Sequence, residues 1–151
     1  MRILLQKVKE ASVIINGEVY SKIDEGFVAL VGFSINDSEE VVDRMISKFI
    51  NLRILEDEEG KTNNSIMSKS LEVLSVSQFT LYADTKKGRR PSFSKSAKSD
   101  DAEKLYDYFN KQLNKEIPIK TGVFQEDMQV QLVNEGPFTI MLDSEEYGWH
   151  K

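Results

Sequence analysis

Leu71-Glu72-Val73-Leu74-Ser75-Val76, running into Ser77-Gln78-Phe79-Thr80 and Leu81-Tyr82-Ala83-Asp84, is the stretch on which the fold turns. Leu71 to Val76 has the composition of a central, buried strand. Two hydroxyls, an amide and an aromatic ring leave that strand together at Ser77, Gln78, Phe79 and Thr80. A basic segment follows, with Lys86, Lys87, Arg89, Arg90, Lys95 and Lys98 in one short run and no acid among them. A strand ending in a functional loop would look like this. So would an ordinary strand end, because Ser and Thr hydroxyls bond local backbone there.

Outward from this stretch, the chain alternates strands with two helices. Ile3 to Val8 and Ala11 to Asn16 read as strands, Asn16-Gly17 as a tight hairpin turn, and Glu18-Val19-Tyr20 as the returning strand. Gly26 to Phe33 is nearly all apolar, as in a strand covered on both faces. Val42, Met45, Ile46 and Phe49 then fall at helical spacing, with Asp37 and Glu40 placed as a capping box. Arg53 to Glu56 is a short strand and Asp57-Glu58-Glu59-Gly60 a turn, while the polar run Lys61 to Ser70 has no clear period. Asp100 and Glu103 suggest a second capping box before the helix carrying Ala102, Leu105, Tyr106, Phe109 and Leu113, which Pro118 closes. Lys120 to Gln125 reads as a strand. Met128, Val130 and Leu132 alternate with polar residues, Asn134-Glu135-Gly136-Pro137 interrupts, and Phe138, Ile140 and Leu142 alternate again. Glu145 to Lys151 reads as a polar tail. The expectation is one α/β or α+β domain with two helices packed on sheet.

Composition narrows the chemistry. A chain of 151 residues, 40% hydrophobic and 30% charged, suits one soluble domain. No apolar run approaches the ~20 residues of a membrane helix, and the N-terminus meets charge too early for a signal peptide. Cysteine is absent, which removes thiol nucleophiles and thiolate metal sites and fits a cytoplasmic protein. The single histidine, His150, stands next to last, where chains usually fray. Any hydrolysis must then proceed without imidazole as general base. Asp57, Glu58 and Glu59 lack the alternate spacing of a calcium loop, and no glycine motif cradles phosphate. Neither a metal nor a cofactor is expected. Net charge is −5, so the basic run around Arg89 and Arg90 is a local exception that could hold a polyanion. Arg forks suit phosphate. Phe93, lying among the charges, could stack on a base or anchor the loop. Gly136-Pro137 marks a turn, a bulge or a cis bond, with Asn134 and Thr139 as flanking hydrogen-bonding groups.

Ser77-Gln78-Phe79-Thr80 and Asn134-Glu135-Gly136-Pro137-Phe138-Thr139 together resemble the two signature motifs of the D-aminoacyl-tRNA deacylase family, also called D-tyrosyl-tRNA deacylases. Ala11-Ser12-Val13, Arg53-Ile54, Glu58-Glu59-Gly60-Lys61, Gly88-Arg89-Arg90-Pro91-Ser92-Phe93-Ser94, Thr121-Gly122 and Asp127-Met128-Gln129-Val130 resemble it in the same order. The resemblance spans Met1 to about Asp143 and makes 1–143 the deacylase domain, with 144–151 a short C-terminal tail. It implies a three-layer β/β/α fold, mostly antiparallel, with two main helices. It implies a homodimer that hydrolyses the ester joining a D-amino acid, or glycine mischarged on tRNA-Ala, to tRNA. Ser77, Gln78, Phe79 and Thr80 would be the catalytic residues. Gly136 and Pro137, braced by Asn134, Thr139 and Lys7, would reach in from the other subunit and exclude L-residues. Lys86, Lys87, Arg89, Arg90, Phe93 and Lys95 would hold tRNA. The family usually carries Arg where this chain has Lys7 and Met-Asn where it has Thr62-Asn63. Two mechanisms stay open: backbone N–H groups at Phe79 and Thr80 assisted by the tRNA 2′-hydroxyl, or Thr80 as nucleophile. A non-catalytic RNA-binding module using the same basic loop is the alternative function.

Overall fold

The first strand sets the frame of the computed structural model, which describes residues 1–150. Where two strands are expected, β1 (Arg2–Ile15) is continuous, because Lys9 and Glu10 stay extended with their side chains in solvent. Asn16 and Gly17 both take positive φ, 52° and 79°, as a tight hairpin turn demands. The chain returns along one edge of β1 in two pieces. β2 (Glu18–Ile23) pairs with residues 11–15 of β1 and β3 (Gly26–Gly32) with residues 2–8, both antiparallel. Between them Gly26 packs so tightly on the chain beyond that a Cβ would lie 2.0 Å from the Glu72 carbonyl oxygen. The other edge of β1 is taken by β8 (Gln129–Asp143), also antiparallel.

Two crossovers complete the sheet. α1 (Glu39–Ile50), β4 (Arg53–Glu56) and β5 (Thr62–Ser65) separate β3 from its parallel neighbour β6 (Glu72–Ser77). α2 (Ser99–Leu113) leads from β6 to its other parallel neighbour, β7 (Ile119–Thr121). β4 and β5 form a small antiparallel sheet of their own. The result is one α/β domain with two helices and a mixed, mostly antiparallel six-stranded sheet.

β3 and the middle of β6 are buried on both faces, which is why β3 is continuously apolar and β6 carries Val73, Leu74 and Val76 with the Ser75 side chain buried among them. Phe27, Ala29, Val31 and Val73 face the helices and pack with Val42, Met45, Phe49 and Phe109. Val28, Leu74 and Val76 face the other way and pack with Val8, Val13 and Ile23, where the curled sheet closes on itself. A helix layer, a central sheet and a second β layer follow from these two cores.

Several local expectations give way. Ser38, not Asp37, caps α1, its hydroxyl accepting from the Val41 N–H. Asp37 instead receives the Met1 ammonium at 2.6 Å and the Ser34 N–H at 2.6 Å. α2 begins at Ser99 after Lys98, with no side-chain cap, so Asp100 lies inside the first turn, where a carboxylate still favours the helix dipole. Lys61 to Ser70 resolves into β5 and a short 3-10 turn, Ile66–Ser68. β7 stops at Thr121 because the chain turns, with Gln125 at φ 63°. β8 is not interrupted at Asn134 to Pro137 but runs through, shifting register against β1 there.

The polar segment after Asp143 does not fray. The Ser144 hydroxyl is buried, accepts from the Met1 ammonium at 2.6 Å and lies 2.7 Å from His150 Nε2. His150 Nδ1 lies 3.1 Å from the Asn36 carbonyl. Nδ1–H therefore donates to that carbonyl, and Nε2 shares its bond with the Ser144 hydroxyl. Tyr147 and Trp149 pack against the helix-side core. The lone histidine is thus a strut between the two ends of the chain. Lys151 lies outside the described residues.

Candidate active site

β6 carries the chain to the site and ends at Ser77. The Gln78 N–H makes one last sheet bond, to the Val31 carbonyl at 2.7 Å. The backbone then folds into a 3-10 turn, Phe79–Tyr82. Gly32 on β3 permits this: a Cβ there would lie 2.8 Å from the Gln78 carbonyl oxygen and 3.2 Å from Leu81 Cβ. The first N–H groups of any helical turn lack partners within it. Among the described residues, neither the Phe79 nor the Thr80 N–H has an acceptor.

A cleft of about 620 Å³ opens beside this turn. Ser77, Gln78 and Phe79 form one wall; Ser96, Ala97 and Ser99 another; Phe124 to Met128 a third. The Gln125 amide donates to the Ser99 hydroxyl and ties the last two walls together. Met128 tucks under Gly122, where a Cβ would lie 2.7 Å from its sulfur. The lining is apolar at the base, from Val31, Val76 and Val130, with hydroxyls and the Glu126 and Asp127 carboxylates around it. Such a cleft can hold a small polar group and present backbone donors to it.

The Thr80 hydroxyl is exposed and accepts from the Gln78 amide. An amide cannot take its proton, so nothing in contact with Thr80 activates it as a nucleophile. Tyr82, behind the turn, is buried; that burial, with nearby Asp37 and Asp143, pushes its phenol well above the ordinary value of 10.0. It stays neutral at working pH and is no general base.

The basic segment is a closed hairpin. Asp84 and Ser92 exchange backbone bonds of 2.7 and 2.9 Å, and Gly88 turns the tip at φ 71°. Lys86, Lys87, Arg89 and Arg90 project from it, exposed and without carboxylate partners among the described residues. Phe93 packs on Phe79 with ring centroids 4.9 Å apart, which joins the hairpin to the cleft wall. Lys95 is exposed, while its carbonyl accepts from the Ile35 N–H at 3.0 Å.

Gly136 and Pro137 are joined by a cis bond and lie elsewhere. The Asn134 amide spans them, donating to the Lys7 carbonyl at 2.8 Å and the Phe138 carbonyl at 3.0 Å. Lys7 thus braces the element through its backbone, while its ammonium stands 3.9 Å from Glu135. Gln6 donates to the Thr139 hydroxyl at 3.4 Å. Strand register fixes the distance to the cleft. Ser77 lies in the row of Val31, Ile3 and Leu142, whereas Pro137 is near the row of Lys7 and Phe27. At ~3.3 Å per residue and ~4.8 Å per strand, the two sites are roughly 20 Å apart along the sheet. One copy of the chain does not bring them together.

Sequence inspection missed Arg2, Gly32 and the Gln125 to Met128 wall. Only Gly32 carried a local signal, a glycine inside a strand pattern.

Residues 4–143 match the model of the family described as D-Tyr-tRNA(Tyr) deacylase. Among solved structures, c-Myc DNA Unwinding Element Binding Protein is 41% identical, with a TM-score of 0.90 over 95% of this chain and 98% of that one. A structure described as a probable eukaryotic D-amino acid tRNA deacylase shares the fold at 19% identity, with a TM-score of 0.81 over 93% and 97%. Among the described residues, no helix is long and apolar enough to cross a membrane. The chain belongs to the D-Tyr-tRNA(Tyr) deacylase family, hydrolases that act on the ester bond of aminoacyl-tRNA.

Proposed function

We propose that this protein removes D-amino acids, and glycine mischarged on tRNA-Ala, from tRNA in the cytoplasm as a homodimer whose sites are completed across the interface. The observation that carries the chemistry is the pair of N–H groups at Phe79 and Thr80, unpartnered among the described residues, beside a cleft that holds neither imidazole nor thiol. An aminoacyl ester is already activated by its α-ammonium, so orientation and charge stabilisation can suffice. Water adds to the carbonyl carbon and the oxyanion is held by the two N–H groups, with Ser77 and Gln78 beside them. The bond to the 3′-oxygen then breaks, and the proton from water passes to that oxygen with the tRNA 2′-hydroxyl assisting. Losing one such donor typically costs about 2.7–4 kcal/mol of barrier.

Selection would lie with Gly136 and Pro137 of a second copy. Both are exposed on β8, as are Val133 and Met141. Exposed Val19 and Tyr20 on β2 add apolar surface of the kind a partner covers. A backbone wall at the α-carbon excludes an L side chain while glycine and D-residues pass. The hairpin with Arg89 and Arg90 would take the acceptor-stem phosphates.

A non-catalytic nucleic-acid-binding module is the second reading, favoured by the same hairpin. The 41%-identical relative is itself described as a DNA-binding protein. One assay separates the readings: release of D-tyrosine from D-tyrosyl-tRNA beside hydrolysis of free D-tyrosine methyl ester. Fast release from tRNA alone is expected. Binding without release would leave the module, and equal turnover of both would indicate a general small-ester hydrolase.

A further inference from the structure

The 3-10 turn at the cleft is only Phe79–Tyr82. Such turns are short because their hydrogen bonds are poorly aligned, so external contacts decide how this one is pitched. At its entry the Gln78 N–H is fixed to Val31, and Gly32 leaves room for the Gln78 carbonyl. At its exit the contact is Arg2. Its Nη1 donates to the Leu81 carbonyl at 2.8 Å, and its guanidinium carbon lies 4.5 Å from the Tyr82 ring centroid. Its Nε donates to Asp143 Oδ2 at 2.8 Å, with the Asp143 side chain only 9% exposed.

Strand register explains the grouping. Arg2 stands opposite Asp143 on β8 and opposite Gly32 on β3. Val31 stands opposite Ser77, so Gly32 faces the start of the turn at Gln78. One row across the sheet therefore carries a carboxylate, a guanidinium, a missing side chain and the turn.

We propose that Arg2, oriented by Asp143, is a positioning residue that aims the Phe79 and Thr80 N–H groups at the ester carbonyl; this rests on the deacylase reading above. The guanidinium is planar with donors at fixed angles. The bond to Asp143 sets that plane, and Nη1 is thereby directed at Leu81. A lysine could reach only one partner at a time.

The test compares Arg2→Met, Arg2→Lys and Asp143→Asn on D-tyrosyl-tRNA, alongside amide exchange at Leu81 and Ala83, whose N–H groups bond the Gln78 and Thr80 carbonyls across the turn, in each variant. Arg2→Met should lower kcat by about ten- to a hundredfold, as small misplacements do, with KM within about twofold, the sign of an interaction realised in the transition state. Arg2→Lys should recover part of the loss, and Asp143→Asn should show a milder form of it. Exchange should quicken in the turn and not in α1 or α2. Unchanged kcat, a rise confined to KM, or unchanged exchange at the turn would each overturn the proposal. If Arg2→Met does not fold, the same split in the other two variants decides. A wild-type protein inactive on D-tyrosyl-tRNA would overturn the deacylase reading instead, and exchange at the turn would still say whether Arg2 holds it.

Discussion

Thr80 is where two chemistries part. As a nucleophile it would need a base, and among the described residues its hydroxyl meets only the Gln78 amide. Thr80→Ala should therefore keep activity within about tenfold of wild type, since the backbone N–H survives the substitution, whereas removing a true nucleophile costs about a millionfold. Single-turnover deacylation of D-tyrosyl-tRNA reads this directly. The companion expectation concerns the substrate: a tRNA ending in 2′-deoxyadenosine should be cleaved far more slowly, and normal turnover on it would remove the 2′-hydroxyl from the mechanism. At this scale the sequence is informative about neighbours and silent about distance. Ser77 to Thr80 stand out because they end an apolar strand together. Arg2 does not, since its partners Leu81 and Asp143 lie 79 and 141 positions away.

Among elements, the hairpin closed by Asp84 and Ser92 carries the clearest expectation. Arg89→Ala with Arg90→Ala should weaken tRNA binding and flatten the slope of log K against log salt by about 1 for each phosphate no longer neutralised. Filter binding across a salt series measures it, and an unchanged slope would make the hairpin plain solvated surface. Phe93 packs on Phe79, so the hairpin is joined to the cleft it would feed. Strands and helices were legible wherever burial imposed a pattern, an apolar run in β3 and β6 and a helical period in both helices. Their ends were less so. Pro137 looks like a break because proline cannot donate to a ladder, yet among the described residues β8 pairs only with β1 and leaves its other edge free, where proline is tolerated. The last residues look like a frayed tail because Glu145 and Glu146 are polar, while the bond that holds them comes from Met1.

For the whole molecule, the separation of Ser77 from Pro137 is the fact that most constrains function. A cleft and the cis Gly136-Pro137 element, roughly 20 Å apart on one sheet, call for a second copy if they serve one reaction. Val19 and Val133 line a common surface depression, so Val19→Asp with Val133→Glu should convert a dimer to a monomer in sedimentation. That monomer should lose most D-specific deacylation; full, D-selective activity in it would place the whole site within one chain. No strand pattern could have announced this, because periodicity reports which face is buried and not by whom. If this chain clears D-residues from tRNA and spares L-residues, initial rates on D-tyrosyl-tRNA and L-tyrosyl-tRNA, measured side by side, must differ. A preference for the D-ester on the order of a hundredfold or more is expected, and equal rates, or no release of D-tyrosine at all, would refute chiral clearance by this protein.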